Sequence, residues 1–486
     1  MNPIYVPLFT AFFIFAQFIP TFSAGQSLAT NSTIIVTSIA DSGPGSLRQA
    51  VADAASGDQI TFSSNLNGQA ISLLSSLTID KDLIISGPGA SLLAIQGTEV
   101  VGLLAIRGGA VVSVSDLTIR DGVRGVDNQG GSLTIISCVI TGNLAGPPWD
   151  GAGIFSKDGS LTLLNSQVAG NGVVYASGGG IANINSTLTI NNSTITNNFA
   201  EFGGGAGVVN FSGNAVILNS AISGNTGHGH GIRNDGTMTI TNSTVSNNTG
   251  GGGVDNLGGT MIISGSAVSS NTATSSDGGG ISNSGMLTVT NSTVSGNAAI
   301  GSGGGIYTTA NLHLNNVTLA HNTADSDTDG SGEGGGIFST GSTFFKNSIV
   351  AGNADHSAAT KHPDMSCSAP VFSHGYNLIS NPAGCSFNLA AGDMVGTPSS
   401  PLDAQLGPLS DNGGNTFTHA LLPESPAIDT GNPVTPGSGE HACVASDQRG
   451  IVRPKDGDDD GSPRCDIGAF ELILFKVKIL LPVTRH

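Results

Sequence analysis

One phrase, restated along the chain, limits what the sequence can become. GGGIANINSTLTINNSTITNN (residues 178 to 198) returns as GGGVDNLGGTMIISGSAVSSN from Gly251, GGGISNSGMLTVTNSTVSGN from Gly278 and GGGIYTTANLHLNNVTLAHN from Gly303. The aliphatic residue after each glycine cluster falls at Ile154, Ile181, Val208, Ile232, Val254, Ile281, Ile306 and Ile337, at spacings of 27, 27, 24, 22, 27, 25 and 31. A weaker copy starts at Arg124. A fixed theme of elastic length in this range is the mark of a solenoid or array.

Within a unit the apolar period is two. Leu188 and Ile190 alternate with Thr, and Ser193 and Ile195 continue the inward set after a corner at Asn191 and Asn192. That pattern predicts two short strands and an Asn corner, and the Gly-Gly-Gly-Ile run adds a third strand where glycine permits a tight turn. Coils of three strands stacked about 4.8 Å apart make a parallel β-helix. Helical repeats are excluded, because the period is wrong and Gly and Asn are poor helix formers. Stacking also explains the scarcity of charge, since each side chain would face its own copy one strand away. Asn at the corners can bond to backbone or to the next Asn. Cys138 occupies the inward slot held by Ser193 and Ser243 in later units, and reads as a small buried filler.

Composition agrees. Glycine, at 72 residues, is about twice its usual share, and 10% of residues are charged against roughly 25% in soluble proteins. The 38% hydrophobic content is too high for disorder. Residues 1 to 24 are apolar, carry no charge and end in small residues, which predicts an export signal and an extracellular or cell-surface location. A net charge of −18 speaks against nucleic acid as a partner and for affinity toward cations. No later segment is long and apolar enough to span a bilayer.

Leu47, Ala50, Val51 and Ala54 form the one clear helical pattern, expected to cap the first coil and cover its unpaired strand groups. The Gly-Gly-Gly-Ile and Ser-x-x-Ser-x-Asn style resembles bacterial right-handed β-helix proteins with polymorphic-outer-membrane-protein repeats. TIIVTSIADSGPGSLRQAVADA is similar to the N-terminal cap of large secreted proteins in that group. NSIVAGN, GYNLIS, LGPLSDNGGNTFTHALLPESPAIDTGN and DQRGIVRPKDGDDDGSPRCDIGAFE resemble the choice-of-anchor Q domain. The expected organisation is a signal peptide at 1–24, a cap at 25–70, an all-β right-handed parallel β-helix at 71–362, a loop-rich module at 363–471 and a short apolar and basic tail at 472–486. The resemblance implies surface display or secretion, and for most members no known catalysis.

Three places could carry chemistry. GHGHGIRNDG (residues 227 to 236) gathers His228, His230, Arg233 and Asp235, and its Gly-His-Gly looks like a polygalacturonase motif. A pectate-type lyase needs a base and calcium-holding acids, but between Gly125 and Phe345 the only Lys or Arg are Lys157 and Arg233. Hydrolysis needs two facing carboxylates, whereas Asp150, Asp158, Glu201, Asp235, Asp255 and Asp277 are scattered singly. Facing coils could still bring Asp255 and Asp277 together. In DGDDDG, Asp456, Asp458 and Asp460 alternate ahead of Gly461 as in a calcium loop, with Asp466 standing in for the missing Glu. Cys367 with Cys385 and Cys443 with Cys465 read as two local disulfides, other pairings staying open. The expected function is non-enzymatic contact with surface glycans or cell-envelope components, with Ca2+ as the cation. The rival is a polysaccharide lyase or glycoside hydrolase.

Overall fold

A computed structural model describes residues 32–474 apart from 98–101, 203, 358–360 and 440. The expected signal segment and most of the tail lie outside the described residues. The chain winds into a right-handed parallel β-helix with four sheets. One coil shows the plan. Ile181–Ile184 belongs to sheet 1, Thr187–Asn191 to sheet 2, Thr194–Thr196 to sheet 3 and Phe199–Ala200 to sheet 4. Sheets 1 to 4 hold 12, 15, 14 and 9 strands among the described residues. The fourth strand is not among those the sequence pattern predicts, because pairs such as Phe-Ala or Thr-Gly are too short to show a period.

The inward ladder falls where the spacing placed it. Ile154, Ile181, Val208, Ile232, Val254, Ile281, Ile306 and Ile337 pair in unbroken register, each with no exposure. Leu188 and Ile190 fill the equivalent slots of sheet 2, and Ile195 of sheet 3. Helix α1 (Leu47–Asp53) buries Leu47, Ala50 and Val51, and the Ser46 side chain accepts from the Gln49 N–H at its N-terminus. Cys138 is buried in line with a serine ladder, its N–H donating to Ser166 Oγ. Burial pushes its thiol up to about 11, so it is inert.

Two boundaries differ from the sequence reading. Sheet 2 begins at Thr33–Val36, inside the stretch assigned to the cap. At the other end the sheets run past residue 362 through Met365–Cys367, Val371–Ser373, Leu378–Ile379 and Met394–Val395. The change of style at 363 marks irregular coils, because backbone pairing continues without the Gly-Asn phrase.

Beyond residue 395 the chain turns back along the outside of sheet 3. An antiparallel pair, Leu406–Ser410 with Thr418–Leu421, and the loops to Leu472 cover four coils. Ser295 Oγ meets His419 Nε2 at 2.8 Å, Thr293 Oγ1 donates to Gln448 Oε1 at 2.7 Å, and the Ala469 N–H donates to Thr318 Oγ1 at 3.0 Å. Outward residues of those coils, among them Thr293, Ser295, Thr318 and Ile349, are therefore buried, while Thr194, Ser223 and Thr244 upstream reach solvent. Both expected disulfides form, Cys367–Cys385 and Cys443–Cys465. Among the described residues no helix is long and apolar enough to cross a membrane.

Candidate functional site

Three asparagine ladders run along the helix, and they differ in how far their amides are satisfied. In the ladder containing Asn171, Asn198, Asn225 and Asn248, every side chain is buried. Asn198 Nδ2 donates to Val168 O and Asn225 Oδ1, while Asn198 Oδ1 accepts from the Asn171 N–H and Nδ2. A second buried ladder joins Asn183, Asn210, Asn234, Asn256 and Asn283. These are scaffolding, since burying an amide is costly unless its valences are filled, and Asn183 Oδ1 at the end of the second ladder is a buried atom left without a partner.

The third ladder stands at the corner between sheets 2 and 3. Asn165, Asn192, Asn219 and Asn242 hold φ of 49°, 49°, 47° and 49°, a left-handed conformation that Asn tolerates better than other non-glycine residues. All four are exposed. Asn192 Nδ2 donates to Asn165 Oδ1 at 2.6 Å, Asn219 Nδ2 to Asn191 Oδ1 at 3.3 Å, and Asn415 Nδ2 of the folded-back module to Asn219 Oδ1 at 3.1 Å. A primary amide offers two N–H groups and two lone pairs, so at least half the hydrogen-bonding capacity of these side chains stays open. They line a groove of about 750 Å³ together with Ser, Thr and Ala residues, and no titratable side chain faces it.

The histidine stretch opens differently. His228 is exposed, its ring stacked 5.2 Å from Phe202 and its Nδ1 2.6 Å from Glu201 O. His230 turns inward, and its enclosed Nε2 has no partner. Gly251 makes room for it, since a Cβ there would come within 2.6 Å of the imidazole Nδ1. Burial first, and Arg233 second, depress the His230 pKa to about 4, so the ring is neutral. Arg233 pairs in register with Asp255, Nε to carboxylate 3.8 Å. Desolvation raises Asp255 to about 6, with Arg233 opposing and Asp235 adding to the rise. Asp235 itself is exposed. The structure thus joins Arg233 and Asp255, a pair invisible in sequence because 22 residues separate them. Asp277 does not join them: Ser282 lies beside Asp255 in register, and Asp277 accepts from the Ser302 N–H.

The acidic loop is also regrouped. Carboxylate oxygens of Asp456, Asp458 and Asp429 lie within 4.8 Å of one another. Asp460 is outside that group and accepts from the Ser462 N–H. Asp466 is buried, accepting from the N–H groups of Asp429 and Leu472. Desolvation first, then the neighbouring Glu471 carboxylate, raise it to about 8. It therefore braces the loop from behind. Asp429 takes its place because its carboxylate accepts the Gly457, Asp458 and Arg464 N–H groups, drawing the loop around it. Asp456 Oδ1 is enclosed without a partner, an oxygen suited to a hard cation. A second group, Asp325, Asp327 and Asp329, is one that sequence reasoning missed, although its D-x-D-x-D-G spacing stands in the sequence.

A comparison with known protein families agrees on the fold. Residues 183–355 match the family model described as a right handed beta helix region. Among solved structures the chain is similar to pectate lyase Pel9A, at 12% identity and a TM-score of 0.38, covering 92% of this chain and 97% of that one. It is also similar to a mannuronic acid specific polysaccharide family 6 lyase from human gut microbiota, at 12% identity and a TM-score of 0.39, covering 75% and 91%. No curated protein matches.

Proposed function

We propose that the protein is an exported, non-enzymatic β-helix that contacts extracellular or cell-envelope glycans. The observation that carries this reading is the open corner groove, whose exposed amides are unsaturated and whose lining holds no acid or base to perform chemistry. Two disulfides accord with an oxidising compartment. The test is a glycan array probed with the full mature chain, where retention of glycans without release of shortened products is expected.

A second reading, cleavage of polysaccharide, is favoured by one observation. Asp255, raised to about 6 beside Arg233, has the makings of a proton-transfer group, and the neutral His230, its Nε2 without a partner, stands on the same strand as Arg233. An activity screen on pectate, alginate, chondroitin and neutral plant polymers, with and without calcium, separates the two. Turnover abolished by Asp255→Asn or His230→Ala would replace the first reading with the second. We also propose that Asp429, Asp456 and Asp458 hold calcium, which would relieve repulsion among clustered carboxylates and order the loop. Its role would be structural, at the base of the folded-back module.

A further inference from the structure

The exposed corner ladder does not stop at Asn242. The same corner continues through Gly265, Asn291, Asn316 and Asn347, with φ of 58°, 52°, 52° and 49°. There it is covered, and what covers it shows how such a ladder binds. Asn316 Oδ1 accepts from the Val444 N–H at 2.9 Å while its Nδ2 donates to Gly468 O at 3.2 Å. Asn347 repeats the arrangement, accepting from the Asn432 N–H at 3.2 Å and donating to His441 O at 3.1 Å. Asn316 and Asn347 thus each grip a donor and an acceptor from the loops lying over them, whereas Asn291 Oδ1 is covered without a partner. Gly265, which lacks an amide, marks the edge of the covered half, and Thr416 donates to its carbonyl.

Upstream, Asn165, Asn192, Asn219 and Asn242 present the same backbone conformation and side chain, and among the described residues the folded-back module bonds to them only through Asn415, at Asn219. We infer that this upstream half binds a neutral, hydroxyl-rich polysaccharide running parallel to the helix axis, with Asn415 of the folded-back module reaching into the site at Asn219. The inference rests on the glycan-contact reading and narrows it to one site and one ligand class. A sugar hydroxyl is donor and acceptor at once, so it satisfies an amide as the module's peptide groups do. The four corners repeat at about 4.8 Å, which suits a regular polymer better than a compact ligand. Uronates and sulfated glycans are disfavoured because no Lys or Arg lines the groove. An extended peptide is disfavoured because the lining has no apolar pocket for alternate side chains.

The test uses the full mature chain against immobilised neutral oligosaccharides (glucan, mannan, xylan and galactan), polygalacturonate and alginate, and an uncharged Gly-Ser peptide. Asn192→Gly, Asn219→Gly and Asn415→Ala are compared with wild type, glycine keeping the left-handed backbone at the two corners, with melting temperature as the check on folding. The expected result is binding to at least one neutral series, weakened roughly tenfold or more by each substitution with melting unchanged. Neutral binding that all three variants retain would overturn the site while leaving glycan contact standing. Binding confined to the acidic polymers, or to the peptide, would overturn the ligand class. Absence of binding to every glycan would overturn both this inference and the reading it rests on.

Discussion

Replacing Asn225 by alanine tests whether the buried amide ladder holds neighbouring coils together. Asn225 Nδ2 donates to Ile195 O at 3.0 Å and to Asn248 Oδ1 at 2.9 Å, and its Oδ1 accepts from both the N–H and the Nδ2 of Asn198, each at 3.0 Å. Alanine removes all four bonds. Asn198 Nδ2 keeps Val168 O, and Asn248 Oδ1 keeps the Asn225 N–H. The Asn198 N–H, fully buried, loses its acceptor. Stranding that donor costs about 1–3 kcal/mol, and the net loss of the other contacts adds about 1 kcal/mol, for a total of about 2–4 kcal/mol. Asn192→Gly, which removes one exposed bond and keeps the left-handed backbone, should stay within about 0.5 kcal/mol of wild type. Urea unfolding of the full chain gives the comparison. Hydrogen exchange should localise the damage to coils next to residue 225, because a solenoid couples mainly to its nearest neighbours. Equal losses from the two substitutions, or a loss below about 0.5 kcal/mol for Asn225→Ala, would refute the claim that ladder saturation carries stability.

Three further outcomes are expected. Ile281→Asp, which sets an unpaired charge in a fully buried slot between Val254 and Ile306, should prevent cooperative folding, seen as loss of protease resistance across those coils. Calcium should bind the full chain in calorimetry and raise its melting temperature, and Asp456→Asn or Asp458→Asn should abolish both effects; a melting point indifferent to chelator would reduce the acidic group to a solvated turn. Acidification should loosen the folded-back module. Burial, reinforced by nearby His321 and opposed by the Gly407 carbonyl, holds His419 below the ordinary histidine value, so the unfolded chain binds the extra proton first. Stability contributed above pH of about 6.5 is therefore lost as pH falls toward the depressed value. Exchange of Leu406–Leu421 amides should accelerate between about pH 7 and about pH 5, and a flat profile would argue against His419 as the sensor.

The candidate sites are legible in unequal measure. The amide corner can be read directly, because in most units Asn sits at the one step where alternation breaks. Its division into a saturated and an unsaturated stretch cannot, since Asn219 and Asn316 look alike until Val444 and Gly468 are found on the second and not the first. The acidic loop gives up Asp456 and Asp458 through their spacing, but Asp429 lies far upstream and only the folded module adds it. Asp466 reads as a ligand from its position after Gly461. The bonds it accepts from Asp429 and Leu472 turn it away, and a linear pattern carries no sign of that.

The coil is already written in the order of the residues. A two-residue period repeated every 22 to 31 residues leaves one way to bury Ile154 through Ile337, and the register of that ladder follows from stacking like on like. The capping helix is written there as well, because it depends on neighbours close in sequence, whereas the two disulfides are suggested there with other pairings open and are chosen by the fold. The path of the last part of the chain is settled at another level, in three dimensions. Gln448 reaches Thr293 across 155 residues and His419 reaches Ser295 across 124. Such contacts are set by the shape and unmet hydrogen bonds of two finished surfaces, which no local period records. That docking chooses which corner amides are spent on the protein's own backbone and which remain open.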